Sequence, residues 1–404
     1  LWRLASEILH SPAKAAYFVD DDCSDADDKR HSPRFKPGIN PGHLVAADLA
    51  GPLCVHKDLW ISSGGAGQSN GSPWYEQLLR ISDLSGWEAV RHIPDVLITY
   101  TNKFPSSPEA CQIALRNALQ MRQIDGEIND ITEFSWEVRY AIKNPPPVTI
   151  AILSIGQLEF LSRCLESIIK ATRYPDFEIL IVSNGLPGDQ EMLQWLKQTV
   201  ERPNKPVIRV TQTKPGANHA CRCNAAIASS TNNLVVLVRE EAVLVQEIWL
   251  EELVRACQTE GVGAASPLIH QAGDAKILNA GNVLGLYGDI ASPYAGMAKL
   301  GDAGYLDSLV ISRDVATLPS SCQIVRKDSY LEAGGMDETE LGDHYAEADL
   351  CLKIRKLGQR LLVQPRASVV YGGDTSQFNP KNRLEEKIVR MNATQTFRHR
   401  WGKV

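Results

Sequence analysis

The run Val148-Thr149-Ile150-Ala151-Ile152-Leu153 is followed by Arg163-Cys164-Leu165-Glu166-Ser167-Ile168 and then by Tyr174-Pro175-Asp176-Phe177-Glu178-Ile179-Leu180-Ile181-Val182-Ser183-Asn184-Gly185. The first and third runs contain short, nearly unbroken apolar stretches, as expected of strands buried on both faces, and the residues between them repeat apolar side chains at helical spacing. The pattern continues downstream, with strands expected at 207–210 and 234–238 and helices at 158–171, 188–199 and 218–228. Strands alternating with helices build a mostly parallel sheet covered on both faces, an α/β fold. Ligands of such sheets bind beyond the carboxyl ends of the strands, which makes the loops at 154–157, 183–188, 212–218 and 239–243 the functional candidates.

Two acidic groups fall in this frame. Arg239-Glu240-Glu241 directly follows the apolar run 234–238, and Glu347-Ala348-Asp349 heads the stretch Leu350-Cys351-Leu352-Lys353-Ile354. If both line one pocket, they supply a ligand for a divalent cation and a catalytic base. Asp343 and His344, just upstream of the second group, are further acid-base candidates.

Before residue 148 the pattern differs. Residues 1–10 have helical spacing, 15–19 read as a strand ended by Asp20-Asp21-Asp22, and 62–73 read as a Gly/Ser-rich loop. Helices are expected over 75–84 and 106–124, and a strand over 96–100. Asn144-Pro145-Pro146-Pro147 forms a stiff extended spacer. This division gives a first domain over 1–125, a linker over 126–147, a second domain over 148–376 and a helical tail over 377–404.

A chain of 404 residues is expected to form two cores. Its 44% hydrophobic and 22% charged residues are those of an ordinary globular protein. With 42 basic and 48 acidic side chains the net charge is -6, which provides no field for a polyphosphate backbone and argues against nucleic acid as a partner. The nine cysteines are odd in number and scattered, as in a reduced cytosolic protein, and Cys221-Arg222-Cys223 lacks the spacing of a zinc pair. No apolar stretch reaches the ~18–20 residues that span a bilayer. The opening Leu1-Trp2-Arg3-Leu4 is neither a start methionine nor a secretion signal, and is expected to lie inside a longer polypeptide.

The quoted runs, with Trp249-Leu250-Glu251-Glu252-Leu253, Gly334-Gly335-Met336-Asp337-Glu338 and Asp349-Leu350-Cys351-Leu352-Lys353-Ile354-Arg355-Lys356-Leu357-Gly358, resemble the inverting family 2 glycosyltransferases of the GT-A fold. The resemblance covers almost all of 148–376. The first domain resembles only the second half of such a domain, through residues 17–25, Phe35-Lys36-Pro37, Asn40-Pro41 and His92-Ile93-Pro94-Asp95-Val96-Leu97, which are similar to elements of tandem bacterial enzymes that assemble surface polysaccharide. The resemblance implies a GT-A-like (Rossmann-like) mixed, mostly parallel sheet with helices on both faces, complete in the second domain and partial in the first. It also implies a nucleoside-diphosphate-sugar donor, a glycan or lipid-linked acceptor, and a cytoplasmic location with peripheral association at the inner face of the membrane.

Roles follow by position from the resemblance. The segment matching Arg239-Glu240-Glu241 usually carries aspartates that hold Mn²⁺ or Mg²⁺ against the donor diphosphate, so Glu241 stands as the metal ligand, with Arg239 and Glu240 beside the donor. The guanidinium fork of Arg239 also suits a diphosphate directly, and a solvated acidic strand end is the third reading. Glu347 matches the catalytic aspartate, which takes the proton of the acceptor hydroxyl as it attacks C1 from the face opposite the diphosphate. Asp349 matches a second acid that begins the following helix and caps it or assists catalysis. Ser154, Ser183 and Asn184 fall on the nucleotide side, with Ser183 where the family commonly has aspartate. Asn218, in Pro215-Gly216-Ala217-Asn218, and Asn224 fall near the ribose and diphosphate. Asp374 stands near the place of a late family histidine that often binds metal. In the first domain, Trp74 is a sugar platform or a packing anchor, and Asp20-Asp21-Asp22 a metal site of an intact domain or a solvated strand end. The alternative to an enzyme is a glycan-binding or scaffold protein that keeps the fold without turnover.

Overall fold

The computed structural model describes residues 2–11, 14–66, 72–101, 107–184, 190–201, 206–286, 289–373 and 386–402. The chain divides into two compact units, residues 1–141 with 311–313, and residues 142–310 with 314–404.

The first unit contains α1 (Trp2–His10), β1 (Ala16–Ser24), β2 (Arg30–Arg34), α2 (Pro41–Ala46), β3 (Cys54–Val55), α3 (Lys57–Ser62), α4 (Pro73–Ser85), β4 (Val90–Thr101), α5 (Pro108–Met121), β5 (Gly126–Asp130) and β6 (Trp136–Tyr140). Strand β1 is the hub of its main sheet, antiparallel to β2 and β3 and parallel to β4. All of its residues are buried, the acidic triplet included. That corrects the expected strand end: Asp20, Asp21 and Asp22 lie within the strand and are 0–5% exposed. The strand continues through them because every carboxylate finds partners inside the unit. Asp20 accepts from Lys36 N and His92 Nε2, both at 2.8 Å. Asp21 is bridged by Arg34 through two hydrogen bonds of 2.7 and 2.8 Å and by Lys36 Nζ at 2.7 Å, and Asp22 takes Arg30 Nε at 2.5 Å.

The expected linker is also shorter than the sequence reading. Residues 126–140 form the β5–β6 hairpin, which Trp136 anchors by burial against Tyr75, its ring centroid 5.5 Å away at 86°. Only the Pro-rich stretch after it matches an extended spacer, and the prolines disfavour both ladder pairing and helix.

The second unit runs β7 (Val148–Leu153), α6 (Leu158–Ala171), β8 (Phe177–Ser183), α7 (Gln190–Val200), β9 (Ile208–Gln212), α8 (His219–Ser229), β10 (Leu234–Arg239), β11 (Ala242–Leu244), α9 (Trp249–Gln258), β12 (Val262–Gln271), β13 (Ile277–Asn279), β14 (Val283–Leu286), β15 (Asp289–Ala291), β16 (Arg313–Asp314), β17 (Cys322–Arg326), α10 (Lys327–Glu332), α11 (Ala346–Lys356), β18 (Arg360–Tyr371) and α12 (Glu386–Trp401). Its main sheet has the order β11-β18-β12-β17-β10-β7-β8-β9. Strands β9, β8, β7 and β10 are mutually parallel, and β17 enters antiparallel between β10 and β12. This is the α/β class expected from the sequence, a mixed and mostly parallel sheet with helices on both faces.

The apolar strands serve two cores at once. Ile150, Ile152, Ile179, Ile181, Val236 and Val238 face α6 and α9, whereas Ala151, Leu153, Leu180, Val182, Val235 and Leu237 face α8 and α11. Alternate side chains point to opposite faces, so burial of both faces requires apolar residues at every position. The C-terminal α12 adds Ala393, Phe397 and Trp401 to the second core, which makes the tail part of the unit. All nine cysteines are free thiols, and only Cys54 and Cys221 are more than slightly exposed. Among the described residues, no helix is long and apolar enough to cross a membrane.

Candidate active site

The parallel strands β9, β8, β7 and β10 end side by side, which brings the loops at 154–157, 183–184, 212–218 and 239–241 to one edge of the sheet. The chemistry at this edge comes from β10, α8 and the turn leading into α11.

At the end of β10 the three consecutive charged residues diverge. Glu240 turns inward and is 1% exposed. It accepts from Ser154 Oγ at 2.5 Å, from Ile155 N at 3.1 Å and from Gln157 N at 3.3 Å, so it holds the β7–α6 loop and the entry to α6. Burial raises its pKa, and these donors act against that rise. Ser154 also accepts from Gly156 N at 3.1 Å. Glu240 and Ser154, placed beside the donor by resemblance, thus fasten the loop to the strand.

Arg239 and Glu241 face one another instead. The guanidinium donates through Nη2 to Glu241 Oε1 at 2.9 Å and through Nε to Oε2 at 3.3 Å, and it also interacts electrostatically with Tyr371 and Glu347. Burial alone would lower the pKa of Arg239; Glu241, Tyr371 and Glu347 outweigh it and raise the pKa. The turn after β18 packs tightly against Glu241: Gly372 N donates to its carbonyl at 2.9 Å, and a Cβ on Gly373 would lie 2.9 Å from its Cγ. Asp374, the other metal candidate, lies outside the described residues.

The described carboxylates do not fit a divalent cation. A hard cation needs several oxygen ligands with lone pairs directed at it, whereas Glu240 is fully occupied by its loop and both oxygens of Glu241 point to Arg239. Among the described residues, no group of three or more His, Cys, Asp or Glu side chains has the proximity of a metal site.

Glu347 lies in the first turn of α11, preceded by Tyr345 in a left-handed conformation with φ 64. Such a backbone costs about 1–3 kcal/mol for a bulky residue and persists only where its surroundings hold it. Here they do: Tyr345 OH donates to Asp289 Oδ1 at 2.7 Å and its ring stacks on Phe397 at 5.1 Å. The Oε2 of Glu347 is shut away from water with no hydrogen-bond partner. Burial raises its pKa, while its own amide and Arg239 pull the other way. Arg239 is thus hydrogen-bonded to Glu241 and electrostatically favourable to Glu347.

The remaining candidates have mostly structural partners. Asn218 caps α8 by accepting from Cys221 N at 2.9 Å and donates to Glu338 O at 2.7 Å. Asn224 donates to Met336 O and Glu338 Oε1 and accepts from Tyr330 OH and Met336 N, which uses its whole amide. Asp349 is fully buried and accepts from Trp401 Nε1 at 2.9 Å, with Lys353 Nζ at 2.6 Å, so it latches α12 onto α11. Asp343 is exposed and accepts from His219 N at 2.6 Å at the start of α8. His344 N donates to Leu341 O at 2.6 Å. Ser183 anchors Thr213 through its carbonyl, and the neighbouring Asn184 has its Oδ1 enclosed without a partner. In the first unit, Trp74 sits in the first turn of α4 rather than in a Gly/Ser loop, because Pro73 starts the helix there, and its ring lies 6.4 Å from that of Trp60.

The sequence reading missed Arg222 and His219. Both belong to the buried face of α8. Arg222 Nη1 donates to Ala217 O at 2.5 Å, and its Nε is enclosed without a partner. His219 Nδ1 is likewise unpartnered, and burial, together with Arg239 and Arg222, pulls its pKa down to about 3. The available signal was an arginine at a helical position otherwise occupied by Ala220, Cys223, Ala226 and Ile227.

Residues 145–394 match the family model described as "Glycosyltransferase like family 2". "Uncharacterized protein y4gI" of Sinorhizobium fredii is 27% identical over 384 residues, covering 91% of this chain and 41% of its own length. "O-antigen biosynthesis protein RfbC" of Myxococcus xanthus is 24% identical over 390 residues, covering 93% of this chain and 30% of its own. The chain thus spans less than half the length of either relative. Among solved structures, the mannosyltransferase PcManGT from Pyrobaculum calidifontis in complex with GDP-Man and Mn²⁺ matches at a TM-score of 0.45 and 14% identity, over 65% of this chain and 66% of that one. GalNAc-T7 with UDP, GalNAc and Mn²⁺ matches at 0.46 and 16%, over 61% and 47%.

Proposed function

This chain belongs to the glycosyltransferase-like family 2, and from that premise we propose that its second unit transfers a sugar from a nucleoside-diphosphate donor to a glycan or lipid-linked acceptor. The observation that carries the reading is Glu347: a carboxylate with an enclosed, unpartnered oxygen and a raised pKa, electrostatically coupled to Arg239 at the carboxyl ends of the parallel strands. A base held this way accepts a proton more readily than a solvated carboxylate. The acceptor hydroxyl loses its proton to Glu347 as it attacks C1 of the sugar, and the bond to the diphosphate breaks on the opposite face, with inversion. In this reading Asn184, which directly follows β8 and has an enclosed and unpartnered Oδ1, accepts from the nucleotide base.

On the acceptor side, a cavity of about 200 Å³ is lined by Leu284, Asp289, Ile290, Tyr345, Phe397 and Trp401. Aromatic faces with one carboxylate suit the apolar face and hydroxyls of a sugar, and Tyr345 is two residues from Glu347. The relative named for O-antigen biosynthesis supports a bacterial surface polysaccharide as the acceptor, and with it work at the cytoplasmic face of the membrane. A second reading, glycan binding without turnover, is favoured by the structural engagement of Glu240, Asp349, Asn218 and Asn224.

Replacement of Glu347 by Gln keeps size and removes the base. Turnover should fall by about 10²–10⁴-fold with nucleotide binding intact. Product formation by E347Q at the wild-type rate removes Glu347 from the mechanism, and absence of transfer by the wild-type chain across nucleotide sugars supports the binding reading.

A further inference from the structure

We propose that Tyr345 is a positioning residue of the transfer reaction: its backbone sets the turn that carries Glu347, while its ring forms a wall of the acceptor cavity. The inference rests on the transfer reading above and specifies how the acceptor side and the base are joined.

Tyr345 immediately precedes α11, and its carbonyl accepts from Asp349 N at 2.8 Å, which closes the helical turn containing Glu347. Its conformation is unusual for that place. The residue that starts a helix normally has an extended backbone and a short side chain that caps the exposed amides. Tyr345 is left-handed instead, with φ 64 and ψ -1, and its side chain makes no cap. A bulky residue disfavours this region, so the start of the helix does not by itself account for the conformation.

The ring accounts for it. Its hydroxyl donates to Asp289 Oδ1 at 2.7 Å and lies 3.2 Å from Thr394 Oγ1, and its face stacks on Phe397. Asp289 of β15 takes Arg390 Nη2 on its other oxygen at 2.7 Å, so one carboxylate ties the ring to α12. That helix is in turn latched to the body of α11, by Trp401 Nε1 on Asp349 at 2.9 Å and by Lys356 Nζ over the Trp401 ring at 4.2 Å. Two residues upstream of Tyr345, Asp343 fastens the same turn to α8 by accepting from His219 N at 2.6 Å. The turn is thus held from two sides. Tyr345 also lines the cavity of about 200 Å³ together with Asp289, Ile290, Phe397 and Trp401. A sugar seated there lies against the ring that holds the turn of the base, so acceptor binding and base placement meet in one side chain.

The test is steady-state transfer by the full chain, with UDP- and GDP-sugars as donors and octyl glycosides as acceptors. Y345A removes the ring and disfavours the left-handed backbone, whereas Y345N removes the ring but favours that backbone, which asparagine adopts readily. Positioning predicts that kcat falls by about tenfold or more in Y345A and returns to within about threefold of wild type in Y345N. The KM of the acceptor should rise in both, because the cavity has lost a wall, and the KM of the nucleotide sugar should stay unchanged. A ring that only packs the core would leave kcat per folded molecule equal in the two variants, and that result overturns the proposal. Y345F keeps the stack on Phe397 and frees Asp289, so it carries the test if Y345A does not fold; its kcat should fall by about threefold or more. Wild-type kcat in Y345F also overturns the proposal, and either result leaves the transfer reading in place. Absence of transfer by the wild-type chain with every donor overturns the transfer reading and the positioning role together.

Discussion

Asp20-Asp21-Asp22 in the first unit and Arg239-Glu240-Glu241 in the second are both acidic runs on a central strand that pairs in parallel with a neighbour, yet they have opposite fates. In the first unit all three acids are buried and tied to Arg30, Arg34, Lys36 and His92 from outside the strand. Lys36 and Asp21 have no side-chain exposure at all. In the second unit only Glu240 is absorbed into the scaffold, while Arg239 and Glu241 remain at the sheet edge with Glu347. An acidic run is thus no evidence of a ligand site until its partners are known. The first unit supplies cations from other elements and forms a buried ionic core; the second pairs Glu241 with its own neighbour Arg239 at the carboxyl ends of the parallel strands.

This contrast is open to direct attack. The largest effect is expected from Asp21→Asn, which leaves Lys36 and Arg34 facing an uncharged group in a buried site. Breaking a buried pair in this way costs about 3–5 kcal/mol, read as a lower denaturation midpoint of the full chain. A change within about 0.5 kcal/mol would mean that the triplet is solvated, and the contrast between the units would fail. Glu240→Gln should cost less, about 1.5–3 kcal/mol, because the bonds from Ile155 N and Gln157 N lose their charge assistance and the amide NH₂ opposes the Ser154 O–H. An unchanged midpoint would return Glu240 to the list of candidates for ligand contact.

The smallest effect, per pH unit, is a pH dependence. The pKa of His219 is about 3 in the folded chain and near 6.5 when unfolded, so between these values the unfolded state binds more protons. Stability therefore falls as pH drops from about 6.5 toward 3, with a slope of up to about 1.4 kcal/mol per unit. His219→Gln should flatten that slope. Glu178, held at about 2 chiefly by its hydrogen bonds from Arg209, contributes stability that is lost below its unfolded value near 4.5, and the H219Q comparison separates the two. An identical slope in wild type and H219Q would show that His219 is solvated and does not sit beside Arg222 and Arg239.

The two halves of the sequence were not equally legible. The strands of the second unit announce themselves because a doubly covered sheet demands apolar residues at every position, and Ile150, Ile181 and Val236 supply them. The carboxyl-end loops, and the position of Glu347 at the head of α11, follow from the same pattern. Strand β1 was cut short in the reading because three aspartates rarely occupy a buried strand, and nothing local reveals Arg34 and Lys36 as their counter-charges. Residues 126–140 likewise give a weak strand signal, and the burial of Trp136 against Tyr75 decides the hairpin.

By itself, then, the sequence determined the α/β class and the family, because these depend on hydrophobic periodicity and motif order. The tertiary structure alone decided which charges are structural and which are available. The roles of Glu240, Asp349 and Asn224 depend on Ser154, Trp401 and Met336, which are distant along the chain. Electrostatic fate is set by neighbours in space and by exclusion of water, and neither is written in the local order of residues.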